Sequence, residues 1–189
     1  MPKVVDHDEY RRELLAGCFE LFSRRGYDNV TMREIAAELN VSTGALYHYF
    51  PTKQAVFEQL FEQERVLDIA EILTQVGDLP DREAVIRGIF EHWDQKKSYY
   101  QNIMLLAVDY FRGNGAVPDQ GPLADFSAYY REAIGANFDV KPAMASFIFV
   151  FIIGLMYHSL VVPGSVEFTE QLALLKEFIT LKGGPAPKK

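Results

Sequence analysis

Residues 31–53 read TMREIAAELNVSTGALYHYFPTK. Apolar side chains recur at helical spacing in two short runs with a break between them. Met32, Ile35, Ala36 and Leu39 occupy one face of the first run. Thr31 precedes that run and Glu34 lies three residues on, which is the form of a capping box at a helix start. Asn40 and Val41 make the turn, and asparagine tolerates the left-handed backbone such a turn can require. Ser42 can cap a second helix running to about Tyr49. Pro51 ends it, and Thr52 can cap the next. Two short helices joined by a tight turn spell a helix-turn-helix, a motif whose second helix enters the major groove of DNA.

The chemistry within the stretch agrees with that reading. Thr31 offers a hydroxyl at a helix N-terminus, where free backbone N–H groups suit a phosphate. Arg33 points away from the apolar stripe. Ser42, Thr43 and Gly44 begin the second helix, and Gly44 and Ala45 let its backbone come close to a base pair. Tyr47, His48 and Tyr49 carry polar tips, with packing against the first helix of the chain, upstream of this stretch, as the alternative for the two tyrosines. Lys53 is a point charge for the DNA backbone.

Upstream, Leu14, Cys18, Leu21 and Phe22 form the buried stripe of a first helix. Arg24 and Arg25 followed by Gly26 mark its end. Downstream lies a long helix over about 52–76, with Val56, Phe57, Leu60, Phe61, Leu67 and Leu73 as its expected buried side and Gly77 and Pro80 as its stop. Further helices are expected near 82–96, 98–112 and 123–137, with a glycine- and proline-rich loop at Gly113–Pro122. Pro142 stands where a helix can begin, Pro163-Gly164 ends that helix, and Phe168, Leu172, Leu175, Phe178 and Ile179 pattern the last one. No strand-like alternation persists, so the expected fold is all-α.

The chain has 189 residues and a formal net charge of −7, with 49% hydrophobic and 24% charged residues. This is an ordinary globular composition. Residues 9–53 balance six basic against six acidic groups, so the acidity lies further on, where residues 61–189 hold 12 basic and 17 acidic groups. One cysteine, Cys18, excludes an intrachain disulfide framework and a cysteine-rich zinc site, which fits a reducing cytoplasm. No metal-spaced His/Cys/Glu set, glycine-rich phosphate loop or Ser/His/Asp arrangement is legible. Catalytic residues, metal ligands and cofactors are therefore not expected, and a small helical enzyme is the weakest of the readings. The apolar run Phe147–Tyr157 is shorter than the roughly 20 residues a bilayer requires, so a helix buried in a core or a subunit interface is expected there rather than a membrane span.

The stretch Leu14–Lys53 resembles the TetR family of one-component bacterial transcriptional regulators. The resemblance lies in the FSRRGYDNVT approach, Ile35-Ala36, Val41-Ser42, the Leu46-Tyr47-His48-Tyr49-Phe50 run and Lys53. It covers about the first quarter of the chain. Asn40 departs from it, since glycine is usual in that turn. The resemblance implies an N-terminal three-helix DNA-binding head over residues 1–53 and a C-terminal helical ligand-binding and dimerisation bundle over 54–182; a disordered tail is expected at 183–189. It implies DNA contacts at Thr31, Arg33, Thr43, Gly44, Tyr47, Tyr49 and Lys53, to which the residue-level reading adds Ser42. It also implies a homodimer, meeting through helices near 142–162 and 167–181, on a pseudo-palindromic double-stranded operator. The expected action is repression, relieved by a small hydrophobic or aromatic effector. A regulator without an effector is the alternative.

Trp93, Tyr100, Met104 and Tyr129 are the candidate effector contacts, because they fall on the middle helices that usually frame the cavity in that family. Asp109, a carboxylate inside a largely apolar helix, is a fifth candidate. Its other readings are a bond to Arg112 or a solvated position near the helix end. His92 and His158 are more ordinary as surface or satisfied core histidines.

Overall fold

The computed structural model describes residues 6–115 and 121–182. Of the expected loop at Gly113–Pro122, residues 116–120 lie outside the described residues, as does the expected tail at 183–189. The described residues form helices and no strands. In chain order these are α1 (His7–Arg25), α2 (Met32–Glu38), α3 (Thr43–Tyr49), α4 (Lys53–Val76), α5 (Arg82–Gln95), α6 (Lys97–Asn114), α7 (Pro122–Phe138), α8 (Pro142–Val161) and α9 (Phe168–Lys182).

The chain divides into two compact units. One comprises Met1–Asp68 with Asn102–Ala124, the other Ile69–Gln101 with Asp125–Lys189. In the first unit, α1 starts at Asp6, whose carboxylate accepts from the Asp8 and Glu9 N–H groups at 3.0 and 3.1 Å. The helix ends at Gly26, whose φ of +78° suits a residue without a side chain. Leu14, Leu15, Cys18, Leu21 and Phe22 are all buried. Burial pushes the Cys18 thiol up to about 12, so it behaves as a small hydrophobe and not as a nucleophile. At Gly17 a Cβ would overlap the Cδ2 methyl of Leu39, so a glycine there lets the end of α2 close onto α1.

The expected buried side of α4 holds for its first half. Val56, Phe57, Leu60 and Phe61 are inaccessible or nearly so. It fails beyond them, because Leu67 and Leu73 are 53% and 54% exposed. The buried line continues instead through Glu64 and Asp68, each four residues on from its predecessor in the series that begins at Leu60. Hydropathy had favoured the leucines, but helix geometry carries the inner face onto carboxylates.

The second unit buries Ile86, Ile89, Phe90 and Trp93 of α5 with Ile134 and Phe138 of α7, Ile148, Ile152, Leu155 and Met156 of α8, and Phe168, Leu172, Leu175 and Ile179 of α9. Arg82 closes the C-terminal end of α7 by donating from Nε and Nη2 to the Phe138 carbonyl at 2.9 and 2.6 Å. The chain then turns through Asp139, whose φ is +48°. Pro142 takes the first turn of α8, as expected. Phe147, Val150, Ile153, Tyr157 and Val161 of that helix remain exposed, together with Leu174 and Phe178 of α9.

The capping box that opens α2 has a pH signature. Hydrogen bonds from Thr31, then from Arg25, hold the Glu34 carboxyl down at about 2. A depressed carboxyl stabilises the fold fully above its ordinary value, and the contribution fades as pH falls from there toward 2. The difference in thermal midpoint between the wild type and Glu34→Gln should therefore be constant near neutrality and narrow across roughly pH 4.5 to 2. A difference that does not change with pH would contradict this.

Candidate nucleic-acid interface

The two short helices are fixed at their starts by their own side chains. Thr31 Oγ1 accepts from the Glu34 N–H at 3.3 Å, and Glu34 Oε2 accepts in return from the Thr31 N–H at 2.9 Å and its hydroxyl at 2.8 Å. Arg25 pairs with Glu34 at 2.6 Å and Arg24 with Glu38 at 2.5 Å. These two arginines are thereby occupied. Arg33 is exposed and makes no ion pair among the described residues, which leaves its guanidinium available to an outside anion.

Asn40 adopts the left-handed conformation at φ +53°, and the turn is closed by the Val41 N–H donating to the Ala36 carbonyl at 2.9 Å. Ser42 Oγ then accepts from the Ala45 N–H at 3.0 Å and starts α3. Leu46 and Phe50 are fully buried, which locks the inner side of α3. Its outer side presents Gly44, which has nothing within 4 Å of where a Cβ would stand, and Tyr47, about half exposed. Thr43 is half-buried beside them. Tyr49 is also half-buried, and its hydroxyl lies 2.7 Å from His7 Nδ1 on α1.

Lys53 has a second attachment that its sequence position did not reveal. Its Nζ donates to the Tyr27 carbonyl at 2.8 Å and lies 4.2 Å from the centre of the Tyr27 ring. Burial pulls its ammonium below the ordinary lysine range, against the attraction of Asp28 and Glu34. The Tyr27 N–H donates to Asp109 Oδ2 of α6 at 3.3 Å. The Tyr27 ring meets Phe57 at 5.0 Å, Phe22 at 5.6 Å and Tyr110 at 5.9 Å. Tyr110 in turn stacks on Phe57 at 4.3 Å and donates to Glu58 at 3.1 Å. The turn between α1 and α2 is thus gripped by α4 on one side and by the end of α6 on the other. A side chain at Gly26 or Gly113 would press on Asp109 or Asp28 respectively.

The stretch that forms this surface matches the family model described as bacterial regulatory proteins, tetR family, over residues 14–60. The HTH-type transcriptional regulator PksA of Bacillus subtilis is 33% identical over 93 residues, 48% of this chain and 45% of PksA. The HTH-type transcriptional repressor Rv1474c of Mycobacterium tuberculosis is 35% identical over 85 residues, 43% of this chain and 46% of that protein. The segment is similar to the DNA-binding part of the TetR family. The matched stretch spans less than half the length of these curated relatives.

Solved structures extend the likeness of fold beyond this stretch. A candidate transcriptional regulator from Saccharomonospora viridis, solved in complex with choline, superposes with a TM-score of 0.76 at 18% identity, over 93% of this chain and 98% of that one. The regulator FadR of Bacillus subtilis in complex with stearoyl-CoA gives 0.72 at 13% identity, over 90% and 97%.

The sequence candidates outside the head fall in both units. Trp93 is buried in the core of the second unit, and Tyr100 is packed against that core. Tyr129 is half-buried in the same unit. Met104 and Asp109 belong to the first unit, where Asp109 serves the Tyr27 N–H. His92 is buried with Nδ1 3.1 Å from Gln75 Oε1, and His158 lies exposed, its Nε2 2.9 Å from Ser165 Oγ. The Asp109–Tyr27 bond joins residues 82 apart, which no local pattern could reveal.

Asp109→Ala would leave a part-buried N–H without its acceptor. The expected cost is about 1–3 kcal/mol, read as a fall of several degrees in the thermal midpoint. Asp109→Asn keeps an acceptor and should cost less. Equal midpoints for wild type and Asp109→Ala would show that the bond carries no stability.

Proposed function

We propose that this chain is a sequence-specific transcriptional regulator that binds a pseudo-palindromic double-stranded operator as a homodimer and represses until a small hydrophobic or aromatic effector releases it. The observation that carries the reading is the outer side of α3. Its small residues Gly44 and Ala45 and the half-exposed Tyr47 follow a rigid capped turn, with the unpaired Arg33 at the start of α2. Thr31, Ser42, Thr43, Gly44, Tyr47 and Tyr49 are the proposed DNA contacts alongside Arg33. Lys53 keeps two further N–H donors for a phosphate while it holds Tyr27. The work of such a protein is binding, not catalysis, and its place is the cytoplasm, where its operator would be.

For the effector, Trp93, Tyr100, Met104, Asp109 and Tyr129 remain the proposed contacts. That two proteins of this fold are solved with choline and with stearoyl-CoA supports a small-molecule effector. A ligand group competing for Asp109 Oδ2 would free the Tyr27 N–H, which gives release a route into the head. The coupling such a route must carry is typically about 1–3 kcal/mol.

For the dimer, the exposed line Phe147, Val150, Ile153, Tyr157 and Val161 on α8 continues onto α9, where Phe178 meets Phe147 at 5.9 Å. Helix α8 is long and apolar enough to cross a membrane by length and composition. Its other side, however, carries the buried Ile148, Ile152, Leu155 and Met156 of a packed core. A second copy covering the exposed line fits this two-sided arrangement better than lipid.

The test of the reading is selection of bound sequences from random duplex DNA by the purified protein at two salt concentrations. The expected result is an enriched pseudo-palindrome with half-sites about 34 Å apart, or a multiple of that, and an affinity that falls steeply with salt. No enrichment, repeated after unfolding and refolding to remove a carried ligand, would overturn it. Independently, Val150→Glu should convert a dimer to folded monomers in sedimentation. A clean dimer from that variant would place the interface elsewhere.

A further inference from the structure

The first turn of α1 reaches the last residue of α3. His7 Nδ1 lies 2.7 Å from the Tyr49 hydroxyl, and the two rings are 5.9 Å apart. Tyr10 and His48 meet the Tyr49 ring edge-on at 5.5 and 5.3 Å, and the Arg11 guanidinium lies 5.9 Å from its centre. His7 and His48 are both exposed. The histidine therefore stands beside the proposed DNA-contacting face while lying well outside the helix-turn-helix in sequence.

A hydrogen bond between an imidazole nitrogen and a phenol can run in either direction. When Nδ1 carries no proton it can only accept. Tyr49 must then donate to it, and its hydroxyl proton is used up. When the ring is fully protonated Nδ1–H donates, the Tyr49 oxygen accepts, and the hydroxyl proton can go to another acceptor. A neutral ring gives this second polarity in only one of its two tautomers; a protonated ring gives it always.

We propose that His7 is a positioning residue of the DNA interface. In its protonated form it turns the Tyr49 hydroxyl proton outward to an operator phosphate and adds a positive charge of its own, so that operator binding takes up protons. The proposal rests on the DNA-binding reading above and deepens it.

The groups facing His7 fit this role. Tyr49 and His48 of α3 meet its ring, and Asp6 at the α1 cap interacts with its charge and with that of Arg12. Tyr10 and Arg11 of α1 lie against Tyr49, and Asp8 lies against Arg11. Asp6 is spent on capping α1, and Asp8 pairs with Arg11 at 3.5 Å. A protonated His7 ring offsets the neighbouring Asp6 carboxylate. Imidazole is the side chain whose ordinary titration spans the physiological range.

The experiment is titration of the full-length protein into its selected operator at about pH 6 and pH 8 at constant ionic strength, followed by fluorescence anisotropy. The wild type should bind roughly tenfold more tightly at the lower pH, the size of one charge-assisted hydrogen bond. His7→Gln keeps a hydrogen-bonding side chain that does not titrate, and should bind equally at both, within twofold. His48→Gln should keep the wild-type ratio. Tyr49→Phe should lose more affinity at pH 6 than at pH 8. Thermal unfolding at both pH values checks that each variant is folded. A wild-type ratio below about threefold, a His7→Gln ratio above twofold, loss of the ratio in His48→Gln, or equal losses in Tyr49→Phe at the two pH values would each overturn the proposal. None of these would touch the regulator reading, which fails only if no operator is selected at all.

Discussion

The head is organised around Tyr27. This residue lies in the short connection between α1 and α2, where loop backbone is usually solvated. Here both of its backbone polar groups are tied to distant parts of the chain, the N–H to Asp109 of α6 and the carbonyl to Lys53 of α4. Its ring fills the space between Phe22, Phe57 and Tyr110. The helix-turn-helix that follows takes its start from this point. The capping box of α2 begins four residues later, and the turn at Asn40 and the start of α3 follow from it. A DNA-reading surface must hold its side chains to a fraction of an ångström, and a connection anchored on two sides is a means to that end.

The same anchoring bears on the proposed regulation. Helix α4 contributes residues to both compact units, and so does α6, which passes from one to the other between Gln101 and Asn102. The two side chains that hold Tyr27 therefore belong to the two helices shared between the units. Lys53 has a double character in consequence. Its ammonium is a charge suited to a phosphate and also a structural tie whose burial lowers its affinity for a proton. Replacing it would disturb the turn as well as any DNA contact, so its loss could not be read as the loss of a phosphate contact alone.

Much of the fold could be read from the sequence because its signals are local. The threonine and serine caps, the glycine after two arginines, the proline in the first turn of α8 and the asparagine in the turn each act within a few residues. The structure places every one of them in the expected role. In the second half of α4 hydropathy ranks leucine as core, while the burial of Glu64 and Asp68 depends on neighbours that the local pattern does not contain. The roles of Asp109 and Tyr27 were hidden for the same reason. The His7–Tyr49 bond spans 42 residues; packing of Tyr49 against the first helix is open to a reading of the sequence, but His7 as its partner is not. For the aromatics of the second unit, composition alone could not separate core from effector contact. Trp93 is core in the structure, and its proposed second role rests on the effector reading.

The proposed role of α3 is to read operator DNA in the major groove. Chemical methylation separates the grooves, because guanine N7 lies in the major groove and adenine N3 in the minor. In a methylation-interference measurement on the bound operator, modification at guanine N7 should block binding in two clusters about one helical turn, or a multiple of it, apart. Interference confined to adenine N3, or none at all, would contradict it.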